Sequence, residues 1–209
     1  QKKLLSLTAL TAVLGASFVG VQNANGAATD NIQVNAEFKT ALQLANVVDM
    51  DYGIIGVTGT PDGTDLVTIN TDDGISLTGA GTAFSPPSTG TAGEIEVTAG
   101  SAGDTVNVFC SGSATLSNTA DDSAIDATDV RFDFDDTGAG SAAIGTNQCQ
   151  GSSTGDPIAG SIGVYGTDDQ LMLFSATLDG STATTPLKNE THSTSNGPTG
   201  SPIEVTVAY

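Results

Sequence analysis

The sequence predicts an all-β protein, an antiparallel β-sandwich of about eight to ten strands. Three observations predict this fold class. Apolar and polar residues alternate in short runs, as they do on strands with one buried face. Turn residues separate these runs at roughly 8–15 residues. Helix signals are nearly absent after residue 28; residues 36–48 fit one short helix, but their alternation fits a strand equally well.

Residues 1–28 have the pattern of a secretory signal peptide. Lys2 and Lys3 give a basic start, an apolar run reaches Val21, and small residues follow. Thr, Ser and Gly interrupt the run, which is shorter than the about 20 continuous apolar residues of a membrane span. We expect cleavage after Ala27 or Ala28, secretion, and one domain over residues 29–209. An uncleaved N-terminal anchor is the alternative.

The chain is strongly acidic, with 24 Asp and Glu residues against five Lys and Arg residues. Two of the five basic residues and none of the acids lie in the predicted leader, so the remainder has a net charge of −21. Nucleic acids and anionic membranes repel such a surface, which excludes both as natural partners. Cations are attracted to it instead.

Each strand is predicted from its own alternation of apolar residues. Asp72-Asp73-Gly74 and Gly100-Ser101-Ala102-Gly103 are strong turn signals. Residues 79–93 are predicted to form a loop that Pro86 and Pro87 stiffen. In chain order, the runs that fit a strand lie around residues 29–38, 42–48, 66–69, 75–77, 95–97, 106–110, 114–116, 130–134, 162–164, 171–173, 176–178 and 203–209.

The strand 29–38 directly follows the predicted cleavage site. Its apolar residues, Ile32, Val34, Ala36 and Phe38, fall on one side of an extended chain. Such a strand can add to an exposed sheet edge of the next subunit, where main-chain bonds give affinity and alternate side chains fill pockets. A head-to-tail contact of this kind propagates into a filament. Pairing within its own domain is the alternative, and the sequence leaves both open.

The two cysteines, Cys110 and Cys149, are predicted to form one disulfide, because an even number of cysteines in an exported protein is typical of disulfide bonding in an oxidising compartment. Cys110 is in line with Val106 and Val108 and is expected to face the core. The bridge would tie a Gly/Ser/Thr-rich excursion, about residues 111–155, back onto the sandwich. Free thiols or metal ligands are the alternative reading, which a single distant histidine does not favour.

Asp133, Asp135 and Asp136 are weak calcium candidates, and no other cofactor is predicted. They stand at positions one, three and four of a segment that begins like a calcium-binding loop, with Gly138 at position six. Position twelve, where such a loop needs a bidentate Glu, is Ile144. The competing interpretation is a strand with its phenylalanines inward and its acids outward, running into a turn.

No catalytic constellation is present in the sequence. His192 is the only histidine, and we expect it in a solvated polar loop. The chain has no nucleophile-elbow pattern. It has no Trp and only three Tyr, so few of the aromatic side chains that stack on sugar rings would be available to line a carbohydrate-binding cleft. The sequence therefore predicts a protein that is not an enzyme.

Residues 49–55, Asp-Met-Asp-Tyr-Gly-Ile-Ile, resemble the Leu-Asp-Phe-Gly-x-Ile motif of a secreted bacterial β-sandwich family of unknown function with fimbrillin-like members. A turn with Gly197 and Gly200 leads into Val205, Val207 and Tyr209, similar to that family's terminal V-x-V-x-Y strand. The resemblance spans roughly residues 30–209. Tyr and Met replace Phe and Leu in the first motif, and the region from Cys110 to Cys149 looks like an insertion.

The resemblance implies an immunoglobulin-like sandwich at a bacterial cell surface or in a fimbria, and it supplies no catalytic residues. The function expected is a secreted structural subunit of an extracellular, pilus-like filament, polymerised by strand addition. Its expected partners are identical subunits and a secretion chaperone. The alternative is a monomeric cell-surface adhesin or ligand-binding module that uses loops such as 79–93 or 179–200.

Overall fold

The computed structural model describes residues 36–120, 122–135, 137–150, 163–166, 170–184, 186–196 and 198–209. The chain divides into two compact units, residues 1–39 and 40–209. The described part of the first unit, residues 36–39, contains no strand, and Lys39 Nζ lies 3.8 Å from Glu37 Oε1. The predicted leader, together with Ile32 and Val34, lies outside the described residues. The leader and the domain boundary at residue 29 therefore stay predictions.

The second unit is built from antiparallel strands, and its described part contains nine strands of three or more residues and four of two residues. A 3-10 turn, Gly180–Thr182, follows the twelfth strand. The strands are β1 (Gln43–Val48), β2 (Gly56–Val57), β3 (Leu66–Ile69), β4 (Ile75–Leu77), β5 (Phe84–Ser85), β6 (Gly93–Ala99), β7 (Thr105–Cys110), β8 (Ala114–Ser117), β9 (Ala124–Phe134), β10 (Asn147–Gln148), β11 (Gly163–Val164), β12 (Leu171–Asp179) and β13 (Val205–Ala208).

A wide, eight-stranded sheet is organised around β12. One edge of β12 pairs with β9. The other edge pairs first with β6, through residues 171–174, and then with β3, through residues 176–179. Strands β1 and β4 extend the sheet beyond β6 and β3, while β8 and β10 both lie on the far edge of β9. The two long strands, β9 and β12, therefore run past both the part of the sheet with β1 and β6 and the part with β3 and β4, and they join these two parts.

A narrow sheet with the order β11-β7-β13 packs over the wide one, and β2 and β5 form a separate pair. In the narrow sheet, Val108 and Cys110 of β7 belong to the same hydrophobic cluster as side chains of β3, β6, β9 and β12. Ile203, Val205 and Val207 pack against that cluster and remain partly buried. Two antiparallel sheets that share one core make a β-sandwich. The predicted fold class is confirmed, while the immunoglobulin-like strand order stays a prediction.

Strand β12 is buried on both of its faces. Met172, Phe174, Ala176 and Leu178 belong to the sandwich core. On the opposite face, Ser175 Oγ accepts a hydrogen bond from the backbone N–H of Gly145, at 2.8 Å. The connection between β9 and β10 therefore covers part of the outer face of the wide sheet.

Strand β9 begins six residues earlier than the alternation predicts, at Ala124 instead of Val130. The register with β12 shifts between Ser175 and Thr177, and Asp129, opposite this shift, has a φ of +47°. A bulge of this kind inserts one residue. Inward-facing residues of β9 are otherwise two positions apart, but Ala127 and Val130 are three positions apart. Because strict alternation breaks at this point, it does not reveal the first half of the strand.

Cys110 and Cys149 form the predicted disulfide, with their Cα atoms 5.0 Å apart, and Cys110 faces the core as expected. The interpretation of residues 111–155 as a polar excursion is wrong for the described residues among 111–150, while their being an insertion relative to the resembled family stays a prediction. These residues contain β8, β9 and β10, and β9 contributes Ile125, Val130 and Phe132 to the core. Burial of alternate residues offsets the ordering entropy of this segment, so it belongs to the sandwich itself.

The hairpin turn at Asp72-Asp73-Gly74 is confirmed. It joins β3 and β4, Asp73 has a φ of +68°, and the Asp72 carboxylate accepts a bond from the N–H of Gly74 at 3.0 Å. The turn at residues 100–103 is also confirmed by the bond from Asp104 N–H to Ser101 O. Residues 79–93 are not loop throughout, because they include β5, which pairs with β2.

The hydroxyl of Tyr52 is buried without a hydrogen-bond partner among the described residues, and burial raises the pKa of this phenol. We therefore expect Tyr52→Phe to keep or raise the free energy of unfolding, by up to about 1 kcal/mol, because it removes a polar group that loses water on folding. Urea unfolding measures the change. Tyr209→Phe is the matched control, since the Tyr209 hydroxyl is bonded and its removal should cost about 1 kcal/mol. A loss of that size for Tyr52→Phe would mean that its hydroxyl has a partner.

Candidate functional site

Three strands of four or more residues form edges in the described part of the sandwich: β1, β8 and β13. The pairing of β1 with β6 shifts register twice, and such bulges disfavour pairing with another chain. The outer edge of β8 is covered by bridges from Thr115 to Ser201 and from Ser117 to Ser193. Within the described residues strand β13 has neither protection, since it pairs with β7 in one unbroken register and no strand or bridge lies on its other edge.

The backbone of β13 alternates between groups that face β7 and groups that face away. Ser111 N–H donates to Glu204 O at 3.0 Å, which makes this a hydrogen-bonded pair. In an antiparallel ladder such pairs alternate with non-bonded ones. The pairs of β7 with Thr206 and Ala208 are therefore bonded, and those with Val205 and Val207 are not. The N–H and C=O groups of Val205 and Val207 consequently point toward the outer edge.

The end of β13 is fixed by a small hydrogen-bond network. The Tyr209 hydroxyl accepts a bond from Ser101 N–H at 2.5 Å and donates one to Thr40 O at 2.6 Å. Thr40 N–H in turn donates to Ser101 Oγ at 2.6 Å. Three places are thereby held together: the start of the second unit, the turn between β6 and β7, and the end of β13.

The predicted inter-subunit residues are only partly described. Ala36 and Phe38 lie in the described part of the first unit, outside any strand, while Ile32 and Val34 lie outside the described residues. The inter-subunit role of all four residues therefore stays a prediction.

A second surface is a groove of about 570 Å³ on the outer face of the wide sheet. Its floor is a row of hydroxyl side chains that register places side by side on four strands: Ser76, Thr68, Thr177 and Thr128. Thr68 Oγ1 lies 2.8 Å from Thr177 Oγ1. The sequence patterns did not predict this row, although the alternation of Thr68 with its buried neighbours Val67 and Ile69 was a usable signal.

The calcium candidates do not converge in the part of the chain that the structure describes. Asp133 Oδ1 accepts bonds from the backbone N–H and hydroxyl of Thr146, whereas Asp135 accepts bonds from Thr137 and Gly140. Asp136 lies outside the described residues. No group of three His, Cys, Asp or Glu side chains suited to a metal occurs within the described residues. Asp133 and Asp135 thus bind protein donors and shape their turns.

His192 lies in a loop, as expected, and is half-buried against Ser123. Its Nε2 is 2.8 Å from Ser123 Oγ, and its Nδ1 is 3.0 Å from the carbonyl oxygen of Glu190. Ser123 is buried and also accepts a bond from Lys188 N–H at 3.0 Å. The pair resembles a hydrolase dyad in its atoms, but a substrate cannot reach a serine that is 1% exposed. Its effect is to attach residues 188–192 to the β8–β9 hairpin.

Acidic pH is expected to weaken the fold through carboxylates that protein donors stabilise. Bonds from the Thr137 side chain and backbone lower the pKa of Asp135, and a bond from the Asn118 amide, with Lys188 beside it, lowers that of Asp122. A lowered folded-state pKa gives stability that is present above the ordinary value near 4 and is lost as pH falls through the folded value. Melting temperatures between pH 6 and pH 2.5 should therefore fall more steeply for the wild type than for Asp135→Asn.

Thr137→Val is the matched control for that titration, because it removes the hydroxyl donor but keeps the carboxylate and the backbone bond. Its pH dependence should lie between those of the wild type and Asp135→Asn. Equal slopes for all three proteins would show that the bonds to Asp135 do not contribute to acid sensitivity.

Comparison of the chain with protein-family models, with curated proteins and with solved structures found no match. Among the described residues, no helix is long and apolar enough to cross a membrane.

Proposed function

We propose that this protein is a secreted structural subunit of an extracellular, pilus-like fibre that polymerises by strand addition between subunits. The observation that carries the proposal is β13, a regular edge strand paired on one side only within the described residues. An unprotected edge is a template for a strand from another chain. The alternating segment 29–38 supplies a strand of the type such an edge accepts.

Several further features support this function. The predicted leader directs the chain out of the cytoplasm, and the buried disulfide suits an oxidising compartment. The fimbrillin-like resemblance points to the bacterial cell surface. We propose identical subunits as the main partner, with a secretion chaperone that protects the edge before assembly, and we propose no catalytic activity.

Deletion of residues 28–38 tests the proposal. The truncated chain should fold, since the described sandwich begins after this segment, and it should stay monomeric where the full-length mature protein forms fibres. Negative-stain microscopy and light scattering measure assembly, and circular dichroism measures folding. A truncated protein that unfolds points to pairing within the domain, and one that forms unchanged fibres contradicts strand donation.

The second candidate function is a monomeric adhesin or ligand-binding module. The hydroxyl-lined groove on the wide sheet favours it, because the half-buried hydroxyls of Ser76 and Thr128 at its two sides offer donors and acceptors to a polar ligand. Discrete monodisperse particles of mature protein would favour this module over the fibre subunit. Binding that Thr177→Val abolishes would assign it to the groove.

A further inference from the structure

We infer that the segment 29–38 of one subunit adds to the outer edge of β13 in the next subunit, and that it does so antiparallel to β13. This inference rests on the proposed function and adds to it the acceptor edge and the direction of the donated strand. Two independent observations carry it, the backbone pattern of β13 and the hydrogen bonds that fix Thr40.

The first observation identifies the acceptor. Among the three longer edges described, β1 is bulged and β8 is covered, so β13 alone combines a regular register with a row of outward groups. Val205 and Val207 present two donors and two acceptors to an incoming strand. Their side chains and Ile203 are only partly buried against the core, so an added strand with inward apolar residues would extend that core.

The second observation sets the direction. The chain enters the second unit at Thr40, which Tyr209 and Ser101 hold at the far end of β13. A segment that arrives at Thr40 and lies along its own β13 would run parallel to it. Every ladder among the described strands is antiparallel, and antiparallel pairing is the slightly more stable kind. Only a segment from another subunit can reach this edge antiparallel without reversing its course.

Crosslinking between two populations of mature protein tests the edge and the direction together. One population carries a single added cysteine on the polar side of the segment, and the other carries a single added cysteine on the polar side of β13. Mixtures are assembled, oxidised mildly and separated without reductant. The variants are Gln33→Cys, Asn35→Cys and Glu37→Cys in the segment, and Glu204→Cys, Thr206→Cys and Ala208→Cys in β13.

Antiparallel pairing predicts covalent dimers whose preferred β13 site moves from Ala208 toward Glu204 as the segment site moves from 33 to 37. This shift does not depend on the register. The opposite shift overturns the proposed direction. Fibres without any such dimer overturn β13 as the acceptor and leave strand-assembled fibres in place. Absence of fibres from the uncrosslinked wild type overturns the proposed function instead.

Val207→Pro gives a second measurement that does not depend on crosslinking. Proline removes the outward N–H of Val207 but leaves the bonded pairs of Thr206 and Ala208 with β7. The variant should remain folded and lose about tenfold or more in sedimentable fibre. Thr206→Pro is the control that breaks a bond to β7, so it should lower the melting temperature more. Fibre yield unchanged in a folded Val207→Pro protein overturns the assignment of this edge.

Discussion

Replacing both cysteines with alanine is expected to lower the free energy of unfolding by about 3–4 kcal/mol. The bridge closes a loop with a sequence separation of 39 residues, and the chain-entropy relation gives a stabilisation of this size for such a loop. Both sulfurs are buried, so lost packing adds to the effect. Urea unfolding of the double variant measures the change.

The wild type treated with reductant after unfolding is the control for this variant, because it loses the covalent bond and keeps both side chains. The two proteins should unfold at similar urea concentrations, each well below that of the oxidised wild type. A loss under about 1 kcal/mol in both would show that the bridge barely restrains the unfolded chain.

The bridge also matters for the proposed assembly at β13, because it connects the two sheets. Cys110 ends β7, the only described partner of β13, while Cys149 N–H donates to Val130 O of β9 at 2.9 Å. Force applied to β13 in a fibre would pass through β7 into the disulfide and from there into the wide sheet. If the protein forms the proposed fibres, loss of the bridge is thus expected to weaken them as well as the monomer.

Local patterns predict much of this fold. Alternation locates β3, β7 and β13, and the Asp72-Asp73-Gly74 signal locates the hairpin between β3 and β4. Both kinds of feature are encoded by neighbouring residues, through strand period and turn chemistry. The pairing of Cys110 with Cys149 also follows from the cysteine count and the predicted secretion. These features require no knowledge of which strands meet.

The remaining features depend on contacts between distant parts of the chain. The pairing of β12 with three strands is one example. The burial of Ser175 is another, because the connection between β9 and β10 covers a face that alternation would leave to solvent. Ser123 and His192 are 69 residues apart and meet only because their loops dock. The bulge at Asp129 breaks the period of two on which strand prediction depends. The candidate site shares this limit, since the alternation of β13 is visible in the sequence but its unprotected edge is not.

Phe132→Ala is expected to lower the free energy of unfolding by about 3–5 kcal/mol, because it removes a large buried side chain and leaves a cavity. Phe132 is 0% exposed, and its ring centroid lies 5.5 Å from that of Phe134 and 5.4 Å from that of Phe174. Phe132 lies in β9 between β10 and β12, so its ring packs between the two long strands of the wide sheet, β9 and β12.

Phe134→Ala is the matched control for Phe132→Ala, because it removes the same ring two residues along β9 from a half-buried position. Burial determines the free energy lost, so its cost should be about half that of Phe132→Ala. Equal losses for the two variants would mean that the edge-on contact between the rings, and not burial at Phe132, dominates their contribution to stability.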